Sequence, residues 1–243
     1  VLTSAQHLMA LINNIIELND MNNDKVIIDP KPVIMKNEIE VLAAMMRPQF
    51  EEKNQVFEIR FAGEEKYYVM ADVLRIDQIL IKIISNASNY MEAGKKAVLD
   101  VSFSELDNGN IQYIFDIVDE GMGMKQEFLD HLFETFHREH TSTESGIEGF
   151  GLGLAIVKRL VDAMNADIDV ESVMGNGTRF SLRFSFAKGG RIVNNKPEDG
   201  NEPGNAAGVT QEQGLNAPAV IEEDDKLRMK GILSLIVEDN EVN

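Results

Sequence analysis

Residues 111–123 read Ile111-Gln112-Tyr113-Ile114-Phe115-Asp116-Ile117-Val118-Asp119-Glu120-Gly121-Met122-Gly123. Apolar side chains at alternate positions mark a strand with one buried face, and the run stops at an acid followed by a glycine turn. Just upstream, Asp107-Asn108-Gly109-Asn110 separates it from a second β run, Ala97 to Glu105, a strong hairpin signal. Further back, Asp72 is a good N-cap for a helix through about Met91, with Leu74, Ile76, Ile79, Leu80, Ile83 and Ile84 on its buried side. Two shorter strands, Gln55 to Phe61 and Tyr67 to Met70, precede it, and a helix from about Asn37 to Glu52 precedes them. Downstream come a short helix around Gln126 to Leu132, a polar stretch from His137 to Glu148 expected to be mobile, and Gly149-Phe150-Gly151-Leu152-Gly153-Leu154 running into a helix to about Met164. Strands Asp167 to Ser172 and Thr178 to Phe186 then flank Met174-Gly175-Asn176-Gly177. Helices interleaved with mostly hairpin-connected strands predict an α+β fold, a two-layer sandwich with helices on one face of a mixed sheet.

The flanks differ in composition. Leu8, Leu11, Ile12, Ile15, Ile16 and Leu18 repeat at helical spacing, so residues 1–24 are expected to be one amphipathic helix in want of a partner. Residues 188–230, rich in Gly, Asn, Pro and Glu, have no period and are expected to be a linker. Residues 231–243 open with Gly231-Ile232-Leu233-Ser234-Leu235-Ile236-Val237 before Glu238-Asp239, the expected start of a further domain. The central domain is therefore placed at 25–187.

Across 243 residues, 23 Lys+Arg against 41 Asp+Glu give a net charge of -18. That field repels a polyphosphate backbone, which argues against nucleic acid as a partner. Zero cysteines exclude disulfides and thiolate chemistry. No run is long and apolar enough for a membrane span, so this part is expected to be a cytoplasmic portion, with any membrane anchor of a longer parent in other segments.

Three glycine-rich turns in one domain exceed what packing is expected to need. The loop at 149–154 opens a helix, where free N–H groups favour an anion such as phosphate. A dinucleotide-binding turn needs an apolar strand directly before it, and here the preceding residues are polar; a P-loop pattern is absent. Asp119 is either a turn-initiating acid or a carboxylate placed to accept a hydrogen bond from an exocyclic amine. Asn86, in the middle of an apolar helix, is either a core amide or an oxygen ligand for a hard cation shared with phosphate. Lys82, Asn86, Asn89 and Tyr90 fall on one helix face.

Together, Asn86-Ala87, Asp119-x-Gly121-x-Gly123, Leu132-Phe133-Glu134-x-Phe136, Gly149-x-Gly151-Leu152-Gly153-Leu154 and Gly175-x-Gly177-Thr178 resemble, in order and spacing, the N, G1, F, G2 and G3 boxes of the sensor histidine kinase catalytic and ATP-binding domain, a member of the GHKL superfamily. Residues 1–24 resemble the second helix of the dimerisation and phosphoacceptor hairpin, and Leu235 to Asn240 resemble the start of a receiver domain, so the parent resembles a hybrid kinase. The resemblance implies transfer of the γ-phosphoryl group of Mg-ATP to a histidine and then to a receiver aspartate. By that resemblance Asp119 binds the adenine amine and Gly121 and Gly123 shape the base pocket. Asn86 holds Mg²⁺, with Asn89 and Tyr90 on the nucleotide side of the same helix. The loop Gly149, Gly151, Leu152, Gly153 and Leu154 wraps the phosphates, Arg138 reaches them from the lid, and Thr178 supports the base. Partners implied are ATP, a histidine-bearing hairpin helix of the same or another protomer, a receiver domain and, for the parent, a second copy of itself. His7 falls in the second hairpin helix rather than the first, so the acceptor is expected outside this sequence.

Two departures stand out. Lys82 occupies a position where the family usually has Asn, and Asn89 one where it usually has Lys or Arg, about 10 Å apart along the helix axis. The expectation is that ATP binding survives and phosphotransfer is slowed, with a degenerate nucleotide-binding scaffold as the alternative. Hydrolysis is disfavoured because Lys82 cannot activate water as a Glu would. Half a hairpin is expected to give weak or no dimerisation.

Overall fold

A computed structural model describes residues 26–137 and 151–192. The helix expected over 1–24, the polar stretch at 138–148, the linker beyond 192 and the strand expected at 231–237 lie outside the described residues.

The described residues form seven strands: β1 Lys31–Val33, β2 Val56–Phe61, β3 Tyr67–Ala71, β4 Lys96–Glu105, β5 Ile111–Asp119, β6 Asp167–Ser172 and β7 Thr178–Arg191. The described helices are α1 Met35–Glu52, α2 Val73–Tyr90, α3 Gln126–Leu129 and α4 Gly153–Ala163. The sheet runs β1-β3-β7-β5-β4-β2, with β6 also paired to β7. It is mixed, because β2 and β4 pair in parallel while the other pairings are antiparallel.

One face of this sheet is apolar. Tyr113, Phe115 and Ile117 of β5, Ala97, Leu99 and Val101 of β4, and Phe180, Leu182 and Phe184 of β7 are all buried, as the two-residue period requires. The rings of Phe115 and Phe184 meet edge to face with centroids 5.7 Å apart. Ile39, Leu42 and Met46 of α1, Ile76, Ile79, Leu80 and Ile83 of α2, and Ile156 and Leu160 of α4 complete the core. The opposite face carries charge pairs such as Arg179 with Asp116, Nη2 to Oδ2 at 3.1 Å, and Arg60 with Glu58 at 2.9 Å.

Asp72 caps α2 as its residue type predicts, with Oδ1 accepting the Arg75 N–H at 3.2 Å. Its other oxygen accepts the Asp29 N–H at 2.9 Å, so the cap also ties the entry strand to the helix. Two expectations are corrected. Leu74 is 45% exposed, because it lies in the first turn of α2 on the side away from the sheet, and Ile81 takes a place among the buried residues. The domain end expected at 187 falls inside β7. That strand continues to Arg191, where Lys188 and Ala187 pair with Val69 and Met70 of β3, and the Ile192 N–H donates to the Lys66 carbonyl at 2.9 Å.

Candidate functional site

Asp119 is the last residue of β5, flanked by Ala97 of β4 on one side and Thr178 of β7 on the other. A side chain at that point is held by three strands. It is only 7% exposed, and its Oδ1 accepts the Gly121 N–H at 2.8 Å. Burial pushes the carboxyl up to about 6, opposed by the backbone N–H groups of Gly121 and Thr178. A desolvated acceptor this close to titrating at neutral pH answers a donor strongly.

The turn after Asp119 is clasped by the turn between β6 and β7. The Met122 N–H donates to the Tyr90 carbonyl at 3.1 Å, and the Gly175 N–H donates to the Met122 carbonyl at 2.6 Å. Gly123 has φ +66, and a Cβ there would lie 2.1 Å from the Val173 carbonyl oxygen; Gly177 has φ +87, and its Cβ would lie 1.9 Å from that of Asp119. Both glycines are therefore demanded by turn packing against turn. The expectation that these glycines exceed packing needs is corrected at those two positions.

Ser172, which carries no motif signal at the end of an ordinary strand, is the knot between the turns. Its Oγ accepts the Met124 N–H at 2.9 Å and donates to the Gly177 carbonyl at 2.9 Å. With its one proton so used, the contact at 3.0 Å with Thr178 Oγ1 makes Thr178 the donor, which leaves the lone pairs of that buried hydroxyl available to a ligand. Hydrogen-bond geometry alone reveals this arrangement.

Lys82, Asn86, Asn89 and Tyr90 are all half-buried on α2. The side-chain amide of Asn86 makes no hydrogen bond among the described residues. The described residues contain no group of three or more acidic or histidine side chains able to hold a metal, so any divalent cation here would draw most of its ligands from elsewhere. Asn89 accepts from Lys53 Nζ at 2.6 Å, a partner from the α1–β2 turn that no spacing rule predicts.

Arg138 and Gly149 lie outside the described residues. Leu152 is 1% exposed, so its side chain anchors α4 in the core; the expectation that it wraps a ligand holds at most for its backbone. The N-cap residue of α4, Leu152, offers no side-chain cap, and the helix's first N–H groups have no partner among the described residues. Gly153 and Leu154 occupy that first turn, both partly exposed, and the Gly151 carbonyl accepts the Phe136 N–H at 2.9 Å. Phe136 itself is 64% exposed. A cavity of about 370 Å³ lies elsewhere, at the far end of β4 and β5, lined by Gly63, Glu65, Phe103 and Tyr113 among others, and shares no residue with this site.

The profile of the histidine kinase-, DNA gyrase B-, and HSP90-like ATPases matches residues 71–188, which takes in α2, the Asp119 turn and β7 as far as Lys188. The autoinducer 2 sensor kinase/phosphatase LuxQ of Vibrio parahaemolyticus is 31% identical over 193 residues, covering 78% of this chain and 22% of LuxQ. The signal transduction histidine-protein kinase BarA of Escherichia coli is 25% identical over 190 residues, covering 78% of this chain and 21% of BarA. Full-length ShkA in complex with AMPPNP superposes with a TM-score of 0.65 at 28% identity, over 76% of this chain and 37% of ShkA. The Acinetobacter baumannii histidine kinase AdeS shares the fold, with a TM-score of 0.58 at 24% identity over 76% of this chain and 81% of AdeS. Residues 71–188 form a domain of the histidine kinase-, DNA gyrase B- and HSP90-like ATPase family. Within it, the chain contains an ATP-binding catalytic domain of the two-component sensor kinase type. It spans about a fifth of the length of the curated relatives it matches. Among the described residues no helix is long and apolar enough to cross a membrane.

Proposed function

We propose that this domain binds Mg-ATP at the Asp119 turn and donates the γ-phosphoryl group to a histidine on a dimerisation hairpin, for relay to a receiver aspartate. The buried carboxylate of Asp119 is the observation that carries this reading. Its uncommitted lone pairs accept the adenine amine, and Thr178 Oγ1 supplies a second acceptor beside it. Asn86 is the one protein ligand proposed for Mg²⁺, which neutralises phosphate charge when bound. A half-buried amide with a free oxygen and no acid cluster nearby suits an ion held mainly by phosphate oxygens and water. The uncapped start of α4 receives phosphate. Phosphoryl transfer requires positioning and charge neutralisation more than covalent help, and the buried Asp119, the Asn86 amide and the start of α4 are suited to positioning. The parent pairs with a second copy of itself through that hairpin.

Titration calorimetry of the 243-residue chain with ATP and a non-hydrolysable analogue, with and without Mg²⁺ and beside Asp119→Asn, tests it. Binding that strengthens with Mg²⁺ and is lost in the variant is expected. Absence of binding by the folded, unaltered chain would favour a degenerate scaffold without phosphotransfer instead, the second reading that Lys82 keeps open by placing an ammonium group one helical turn from Asn86.

A further inference from the structure

The turn joining α1 to β2 is built as a bracket on the end of α2. Buried Gln55 donates from Nε2 to the carbonyls of Ser88 at 2.9 Å and Met91 at 2.7 Å, and its Oε1 accepts from Ser88 Oγ at 2.9 Å. Asn54 takes φ +53, a conformation asparagine tolerates better than most residues, and its carbonyl accepts the Gly94 N–H at 2.7 Å. An amide buried to 5% exposure with three hydrogen bonds fixes this turn against α2 far more firmly than a surface loop requires.

The bracket carries Lys53. Its ammonium reaches Asn89 Oδ1 at 2.6 Å, and Asn89 adjoins Tyr90, whose carbonyl holds the Met122 N–H of the Asp119 turn. Lys31, Arg60, Lys96, Lys158, Arg179 and Lys188 each form an ion pair with a carboxylate. Lys53 instead donates to a neutral amide, as Arg75 does to Gln78, and does so on the helix face that carries Asn86. The residue as a whole is exposed, yet desolvation of its ammonium is the largest influence on its pKa and lowers it, against the nearby carboxylate of Glu52. In a chain of net charge -18, a cation hydrogen-bonded to a neutral amide rather than ion-paired, and pinned beside the proposed nucleotide site, is suited to a polyanion.

We propose that Lys53 is a phosphate-binding cation of the nucleotide site, brought to α2 from the α1–β2 turn and positioned by Asn89. The assignment rests on the nucleotide reading above and names a residue for it that lies outside every motif. It also accounts for Asn89, whose neutral oxygen holds an ammonium where a second cation would repel it.

The test is titration of the full 243-residue chain with Mg-ATP and, separately, adenosine. Lys53→Gln is expected to weaken ATP binding roughly fivefold, the scale of one partly solvated charge contact, and to leave adenosine binding unchanged. Lys53→Arg retains ATP affinity, and adding Asn89→Lys to Lys53→Gln restores it. Lys31→Gln, the same charge change at the opposite sheet edge, has no effect. Equal weakening of ATP and adenosine would overturn the assignment by showing that Lys53 merely supports the helix end, and an unchanged ATP affinity would overturn it outright. If the unaltered chain binds neither ligand, the nucleotide reading itself fails and takes this assignment with it.

Discussion

Asp119→Asn separates what the carboxylate does for binding from what it does to the fold. A carboxyl held at about 6 rather than 3.8 disfavours the ionised folded state by about 3 kcal/mol at neutral pH. The folded-state pKa is raised, so stability from this group is complete below the unfolded value and is lost as pH rises through the folded one. Asparagine cannot ionise and keeps an oxygen for the Gly121 and Thr178 N–H groups, so the variant is expected to gain about 2 kcal/mol at pH 7.5, a rise in Tm of roughly 4–8 °C. The gain should shrink to about half by pH 5, where the native carboxyl is already protonated when folded. ATP affinity should fall by about tenfold or more in the same variant, since a charged acceptor has become a neutral one. In the unaltered protein ATP affinity should drop as pH falls below about 6, with Asp119→Asn supplying the baseline for titration of the phosphates themselves. Differential scanning fluorimetry and calorimetry across pH read both effects. A variant that melts lower than the native protein, or that binds ATP undiminished, would refute the argument that a desolvated carboxylate is kept here for a ligand.

Gly177→Ala should destabilise the domain by about 2–4 kcal/mol in thermal denaturation, because its Cβ would meet the Asp119 carbonyl oxygen at 1.9 Å. Asn86→Ala should abolish the strengthening of ATP binding by Mg²⁺ while sparing Mg²⁺-free binding, as read by calorimetry with and without EDTA. Lys82→Asn, placed in a longer protein that carries the phosphoacceptor hairpin, should speed autophosphorylation in a phosphate-transfer assay; no change would remove Lys82 as the cause of slow transfer. In sedimentation at micromolar concentration the 243-residue chain should run as a monomer, and a tight dimer would contradict the expectation for half a hairpin.

Much of the framework was legible because local chemistry and final structure agree. Asp107-Asn108-Gly109-Asn110 closes the β4–β5 hairpin, with the Leu106 N–H donating to the Asn110 carbonyl at 2.8 Å, and Asp72 caps the helix it was expected to cap. The parallel pairing of β2 with β4 is different in kind, since it joins segments about 40 residues apart through a contact that no window of sequence contains. Ala187-Lys188-Gly189-Gly190-Arg191 has no β pattern and becomes strand because β3 offers an edge for it. At the site, Asp119 and the glycine turns announced themselves by residue type. Ser172 and Lys53 did not, because a serine at a strand end and a lysine after a helix are unremarkable until their partners are known. Position 89 carries no cation of its own, and an ammonium reaches it from a segment 36 residues earlier in the chain.

β7 has an arrangement with mechanical meaning. Along residues 178–183 it lies between β5 and β6, and from 187 onward it pairs with β3 on the side β6 had occupied. Tension applied through the chain that follows Ile192 would therefore peel the strand from its Arg191 end, breaking the pairing with β3 before any bond near Thr178. Thr178 is the partner of Asp119 and would be the last residue of the strand to feel the load. A pull from the downstream side would thus be absorbed at one end of the strand while the Asp119–Thr178 pair at the other end stayed intact.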